Sequence, residues 1–234
     1  MKAIILLAGI GERLRPLTKD IPKALLEVNG KTILEYQIGS LRDCKIKDTV
    51  LVVGHGAKKV REKIGNKVRY IFNSRYKDTN NIFSLWVARE EILGFDCVVI
   101  HGDTIFYPKI LKRLLSHKGD ICLAVNKDDK RKMIRVKVKR GLITEINKTM
   151  SSREAYGNFV GLAKFSARVS NLIVEEIEKF IRKKKIDVFY SDSINELIQK
   201  GIKVYPVLTD ALPWCDIDDE KDYQRAKRIF VRNF

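Results

Sequence analysis

Residues 2–8 read KAIILLA, an apolar run far too short to span a bilayer and followed at once by Gly9-Ile10-Gly11. Strand-like runs recur at 49–54, 68–72, 97–101 and 120–125, separated by helical patterns near 31–43, 57–64, 81–92 and 108–117. Strand and helix in turn predict an α/β fold, a doubly wound, mostly parallel (Rossmann-like) sheet with helices on both faces. Such sheets take ligands at the carboxyl ends of their strands. After residue 125 the rhythm changes to a hairpin (133–139, 142–147), a strand (157–165), two helices (167–184, 191–200), a strand (202–207) and a last helix from about 219. No linker or repeat separates the parts, so residues 1–234 are expected to form one domain, the second part covering one side of the ligand crevice.

The formal net charge of +17 invites a polyanion-binding reading, but its placement favours solvated faces. In MIRVKVKRG, Arg135, Lys137 and Lys139 alternate with Ile134, Val136 and Val138, one wet face and one buried one. In EEIEKFIRKKK the cations end a helix that opens on Glu175 and Glu176, the order the helix dipole favours. Cys44, Cys97, Cys122 and Cys215 are widely spaced and form no CxxC pair, which suits reduced thiols in a cytoplasmic protein. The start of the chain lacks a small-residue cleavage site and reads better as a first strand than as a signal peptide.

The stretch AGIGERLRPLTKDIPKALLEVNG, residues 8–30, sets glycines and cations behind the first strand, as a phosphate site requires. It is not a dinucleotide fingerprint, because Leu14 stands where the third glycine belongs and the second strand ends VVGHG without an acid. Nor is it a P-loop, because Leu25 occupies the first glycine position ahead of Gly30-Lys31-Thr32; NGKT reads as an Asn-Gly turn before a helix. What remains is L-x-x-G-x-G-x-R-L-x-P-L-T and then Pro22-Lys23. This motif resembles the nucleotidyltransferases that join an NTP to a phosphorylated sugar or alcohol and release pyrophosphate, and the likeness runs the length of the chain. The resemblance implies nucleotide binding by residues 1–125, through Leu7, Ala8, Gly9, Gly11, Glu12, Arg13 and Lys23, and acceptor binding by 126–234.

Transfer between two anions needs a divalent cation as well as basic side chains. Asp103 ends the apolar strand DCVVIHGDTIF, and Asp216 and Asp218 lie on one face of an extended segment ahead of the last helix, whose N-cap is expected to be Asp219. By resemblance Asp103 and Asp218 are the Mg2+ ligands, and with Arg13 and Lys23 they complete the catalytic set. Asp216 stays open between metal, acceptor and supporting roles.

The stretch YIFNSRYKDTNNIFSLWVARE is similar to its counterpart in phosphocholine and related cytidylyltransferases. Asn73 and Asn80 are candidates to read a pyrimidine edge, with Asn80 or Asn81 alternatively capping the helix. CTP is the expected nucleotide, with UTP, dTTP or GTP in the sugar-phosphate alternative. Lys148 is the candidate for the acceptor phosphate. For a phosphocholine head group, Tyr190, Asp192 and Trp214 could form an aromatic and acidic box; inositol phosphate or a sugar phosphate could instead use Asn158, Glu154 and Asp192. A catalytically idle module and a nucleic-acid-binding protein are the readings from other classes. The expected partners are nucleotide and acceptor, without nucleic acid or membrane insertion, and a homo-oligomer is compatible.

Overall fold

The structure, a computed structural model, describes residues 1–127 and 133–231. The first part runs β1 (Lys2–Leu7), a small hairpin β2 (Glu27–Val28) and β3 (Lys31–Thr32), α1 (Ile33–Asp43), β4 (Asp48–Val53), α2 (Ala57–Ile64), β5 (Arg69–Phe72), α3 (Asn81–Val87), β6 (Cys97–His101), β7 (Thr104–Phe106), α4 (Pro108–Ser116) and β8 (Ile121–Asn126). The second runs β9 (Arg135–Lys139), β10 (Leu142–Asn147), β11 (Gly157–Phe165), α5 (Ser170–Arg182), α6 (Tyr190–Gln199), β12 (Val204–Leu208), β13 (Trp214–Asp216) and α7 (Glu220–Ile229).

Among the described residues one nine-stranded sheet has the order β5-β4-β1-β6-β11-β8-β12-β10-β9, and β9 also pairs with β11. It is mixed, which corrects the expectation of a mostly parallel sheet. The strands β5, β4, β1 and β6 are parallel, but β11 enters antiparallel to both β6 and β8, and β10 runs antiparallel to β12 and β9. The reversal follows from connection type: β9, β10 and β11 succeed one another without an intervening crossover helix, which parallel neighbours require. The pairs β2–β3 and β7–β13 were not legible from hydrophobic pattern, being two and three residues long.

Alternation along β1 sends Ile4 and Leu6 to one core and Ala3, Ile5 and Leu7 to another. The first is covered by α3, α5 and α6 through Ile82, Leu85, Ile173, Ile177, Ile194 and Leu197; the second by α1 and α4 through Leu34, Leu41, Leu111 and Leu114. A third, smaller core joins Leu14, Leu26, Val28 and Ile33 to Ile105, Cys215, Ile217, Tyr223 and Phe230. It fastens the glycine-loop region, β7, β13 and α7 together beyond the strand ends. Local signals set the joints: Asn29 and Gly30 have positive φ in the β2–β3 turn, and Thr32 caps α1 by accepting the Glu35 N–H at 3.1 Å.

At the far edge Glu91 receives Lys2 at 2.8 Å and the Arg69 guanidinium, which also pairs with Asp48 at 2.6 Å, so β1, β4 and β5 share one ion network. The Arg69 hydrogen bonds outweigh the opposing effect of burial, and with Lys2 they hold the Glu91 carboxyl at about 2. A depressed acid stabilises the fold above its unfolded value and loses that contribution as pH falls through the folded one. Glu91→Gln is therefore expected to flatten the loss of stability between about pH 4.5 and about pH 2, as measured by urea unfolding across that range.

Candidate active site

The strand ends of β1 and β6 and the third core define the site. Gly11 adopts left-handed φ +73°, and its carbonyl accepts the Thr18 hydroxyl at 2.7 Å, so the loop turns back on itself toward Pro22-Lys23. Ala24, Leu26 and Leu14 are buried, which fixes the base of the Lys23 side chain. Asp103 follows β6, and Asp216 ends β13 opposite Thr104 in the β7–β13 pair. Ile217 donates its N–H to the Asp103 carbonyl at 3.0 Å. Asp219 caps α7 by accepting the Asp222 N–H at 2.9 Å, as its position ahead of the helix predicts, and Asp222 in turn accepts the Asp218 N–H at 3.1 Å. The cap leaves the Asp218 carboxylate turned toward the loop.

Lys23 Nζ lies 2.9 Å from Asp103 Oδ2 and 2.8 Å from Asp218 Oδ1, and the exposed Arg13 reaches Asp218 Oδ2 at 2.8 Å. Burial works against the Lys23 charge, but Asp103 and Asp218 outweigh it and raise its pKa above the ordinary lysine value. Asp103 is held below its usual range by Lys23 despite burial, whereas burial and the neighbouring Asp103 push Asp216 well above it. Carboxylate oxygens of Asp103, Asp216 and Asp218 all lie within 4.8 Å of one another. Three hard oxygen donors so close fit a divalent metal ion.

Two adjoining cavities meet at Arg13, Asp103 and Asp218. One, of about 430 Å³, is bordered by Leu7, Gly9, Gly11, Glu12, Lys23, Tyr76 and Asn80. The other, of about 690 Å³, runs past Ala8, Asn73, Asn81, Ser84 and His101 to Met133, Lys148, Phe159, Phe189 and Asp216. The glycine-loop residues, both cations, the acids and Lys148 are thus brought to one cleft.

Other assignments change. Asn80 does cap α3, its Oδ1 accepting the Asn81 N–H at 2.8 Å, while still bordering both cavities. Asn73 is buried with its amide committed: it donates to Ser84 Oγ at 3.0 Å and accepts the Arg75 N–H at 2.9 Å, so it shapes the wall. Tyr190 is fully buried in the first core and Asp192 is spent accepting the Phe189 N–H at 2.9 Å, so neither lines the cleft. Trp214 is buried in the β7–β13 pair, against the second core. Asn158, buried in β11, and Glu154, bonded to Ser151, also lie outside the lining.

Sequence reasoning missed His101, Phe159 and Gln37. A polar residue closing a buried strand is a usable signal for His101; Phe159 and Gln37 look like ordinary core positions. Gln37, fully buried in α1, donates from Nε2 to the carbonyls of His101 at 2.7 Å and Thr104 at 2.8 Å, clamping both sides of Asp103.

Residues 3–172 match the model of the MobA-like NTP transferase domain. The chain belongs to that family. The choline-phosphate cytidylyltransferase of Streptococcus pneumoniae is 30% identical over 98% of each chain. The CTP:phosphoglutamine cytidylyltransferase of Campylobacter jejuni is 28% identical over 96% of this chain and 98% of its own. The solved S. pneumoniae CTP:phosphocholine cytidylyltransferase superposes with a TM-score of 0.82 at 28% identity, covering 97% of this chain and 98% of that one. The inositol-1-phosphate CTP transferase of T. maritima shares the fold, with a TM-score of 0.81 at 24% identity over 99% of this chain and 98% of its own. This NTP transferase is an enzyme of the nucleotidyltransferase class, and no helix among its described residues is long and apolar enough to cross a membrane.

The Gln37 clamp gives a direct test. Gln37→Met keeps the volume but leaves the carbonyls of His101 and Thr104 without this donor, a cost of about 1–3 kcal/mol of stability that is offset in part by removing the buried, unpartnered Oε1. Urea unfolding is expected to show that loss, with pyrophosphate release falling further than the folded fraction.

Proposed function

We propose that this enzyme transfers CMP from CTP to a phosphorylated small alcohol and releases pyrophosphate. The observation that carries the reading is the meeting of two cavities at one cluster of charges, where a nucleotide in the first and a phosphate in the second would face each other across Asp103 and Asp218. CTP is favoured over UTP, dTTP and GTP by the two cytidylyltransferases named above. On this reading residues 1–125 take the nucleotide and 126–234 the acceptor.

Asp103 and Asp218, with Asp216 adjoining, would hold a Mg2+ ion, which when bound neutralises phosphate charge. An acceptor phosphate oxygen attacks the α-phosphorus; its P–O bond forms as the bond to the bridging oxygen of the β-phosphate breaks, and that electron pair leaves with pyrophosphate. The nucleophile is already an anion, so no side chain need take a proton. Arg13 lies along the open edge, where its forked donors suit phosphate oxygens, and the glycine loop borders the same cavity. Lys23 supplies a buried cation that costs little to reorganise as charge builds at the α-phosphorus. Lys148, from the segment after β10, is the cation for the acceptor phosphate.

A pyrophosphate-release screen of four NTPs against phosphorylated alcohols and sugars tests the reading. Turnover with CTP and a phospho-alcohol is expected; turnover of a sugar 1-phosphate with UTP, dTTP or GTP would establish the alternative, and none at all would indicate a binding module. Salt-sensitive retention of DNA or RNA without turnover would indicate the nucleic-acid reading. Within the active case, Lys23→Ala is expected to lower kcat by on the order of 10² while changing KM for the nucleotide less. A raised KM with unchanged kcat would reduce Lys23 to simple binding.

A further inference from the structure

Two polar side chains on the wall of the larger cavity take no part in the reaction as described. His101 closes β6 and Asn81 opens α3. Asn81 Oδ1 accepts the Tyr190 N–H at 2.8 Å, which turns the amide nitrogen toward His101 Nε2, 3.5 Å away. A donor facing Nε2 makes that nitrogen the acceptor and leaves the ring proton on Nδ1. At 3.5 Å the contact is at the long limit of a hydrogen bond, so both groups keep capacity for a third.

The ring has little freedom to turn away. Phe159 and Tyr190 meet it edge-on, with centroids at 5.5 and 5.6 Å. Gly161 bulges β11 over it at φ +82°, and even a Cβ there would come within 2.8 Å of the ring. His101 borders the cavity of Lys148 and Phe189 but not the one formed by the Gly11 loop.

The geometry points to His101 and Asn81 as the reader of an acceptor hydroxyl, and so to a polyol or sugar phosphate as the acceptor in place of a phosphorylated quaternary ammonium. A hydroxyl between the two groups donates to Nε2 and accepts from the Asn81 amide, satisfying both. A trimethylammonium group has neither an N–H to give nor a lone pair to receive. The nearby face of Phe189 carries Lys148 Nζ at 4.7 Å from the ring centroid, so a quaternary ammonium stacked there would have to displace the lysine from the ring. A ribose hydroxyl of the nucleotide has the same chemistry; His101 borders the cavity that reaches Lys148 and not the one formed by the Gly11 loop, which favours the acceptor, and 2′-deoxy-CTP in the test separates the two.

The inference rests on the transfer reaction proposed above, and the test separates the two. Pyrophosphate release is measured with myo-inositol 1-phosphate, its deoxygenated analogue cyclohexyl phosphate, and phosphocholine, each with CTP and 2′-deoxy-CTP. Wild-type enzyme is expected to prefer inositol phosphate to cyclohexyl phosphate and to phosphocholine by at least about tenfold in kcat/KM, since a site built for a hydroxyl strongly disfavours analogues lacking it. His101→Phe keeps a ring and removes the nitrogens; it should lower that preference several-fold while leaving the ratio of CTP to 2′-deoxy-CTP unchanged. Each readout is a ratio on one preparation, so a partly unfolded variant does not move it, and the wild-type ratio stands without any variant. Equal or better use of phosphocholine by wild-type enzyme, or an unchanged acceptor ratio in His101→Phe, would overturn the inference and leave the transfer reaction standing. A shift in the nucleotide ratio instead would assign the hydroxyl to the ribose. No release with any acceptor would overturn the reaction itself, and the inference with it.

Discussion

A single buried ammonium holds the site together. Lys23 draws Asp103 and Asp218, 80 and 195 residues further along the chain, to within 3 Å of one atom. Two like charges at about 4 Å repel by roughly 4 kcal/mol at an effective dielectric near 20, so acids gathered this closely need a cation between them. The acids in turn raise the Lys23 pKa against the opposing effect of its burial. Removing Lys23 would set the partly buried Asp103 and Asp218 against each other, with Arg13 paired to Asp218. The same interdependence makes it useful, for a site organised around opposing charges is already arranged for phosphates and a metal ion.

The cluster in turn depends on a core that encloses no part of the main sheet. Leu14 and Leu26 flank Lys23, Ile105 follows Asp103, and Cys215 and Ile217 alternate with Asp216 and Asp218, all meeting Tyr223 and Phe230 of the closing helix segment. Along 214–218 alternation turns the apolar residues to this core and the acids to the cleft, and β13 pairs with β7 for only three residues. Burying these side chains on one side fixes the carboxylates on the other. The Asp219 cap and the Gln37 clamp complete the restraint without touching the reacting groups.

How much of this was legible in the sequence depended on how local its causes were. The parallel strands and their helices could be read because periodicity and length are properties of single segments, and the Asp219 cap because a cap lies next to what it caps. The glycine loop with Arg13 and Lys23, and the acids at strand ends, were legible as a set because each type carries its chemistry with it. The antiparallel entry of β11 was not, since pairing partners are chosen by topology and not by pattern. Tyr190 and Asp192 were misread for a related reason: an aromatic and an acid beside a helix start look the same whether they face a ligand or their own chain. Here the ring completes a core, and the carboxylate satisfies the backbone N–H of Phe189.

The two ends of the cleft rest on different foundations, and that bears on how such an enzyme can change its acceptor. Arg13, Lys23, Asp103, Asp216 and Asp218 are held by the third core and by the bond from the Thr18 hydroxyl that closes the glycine loop. Phe159, Phe189 and Tyr190 belong to the first core, packed under α5 and α6, and His101 is wedged against two of them. Residues that share no packing neighbours couple weakly, so exchanges in the first core can reshape the Lys148 end of the cleft while the charges around Asp103 and Asp218 stay in place. His101 is the exception, because only Gly102 separates it from Asp103 and Gln37 grips its carbonyl. A backbone shift there would be felt at Asp103 as well as at the wall beside Phe159 and Tyr190. The Gln37 bonds, made to carbonyls alone, confine the effect of a new side chain at 101 to the acceptor side.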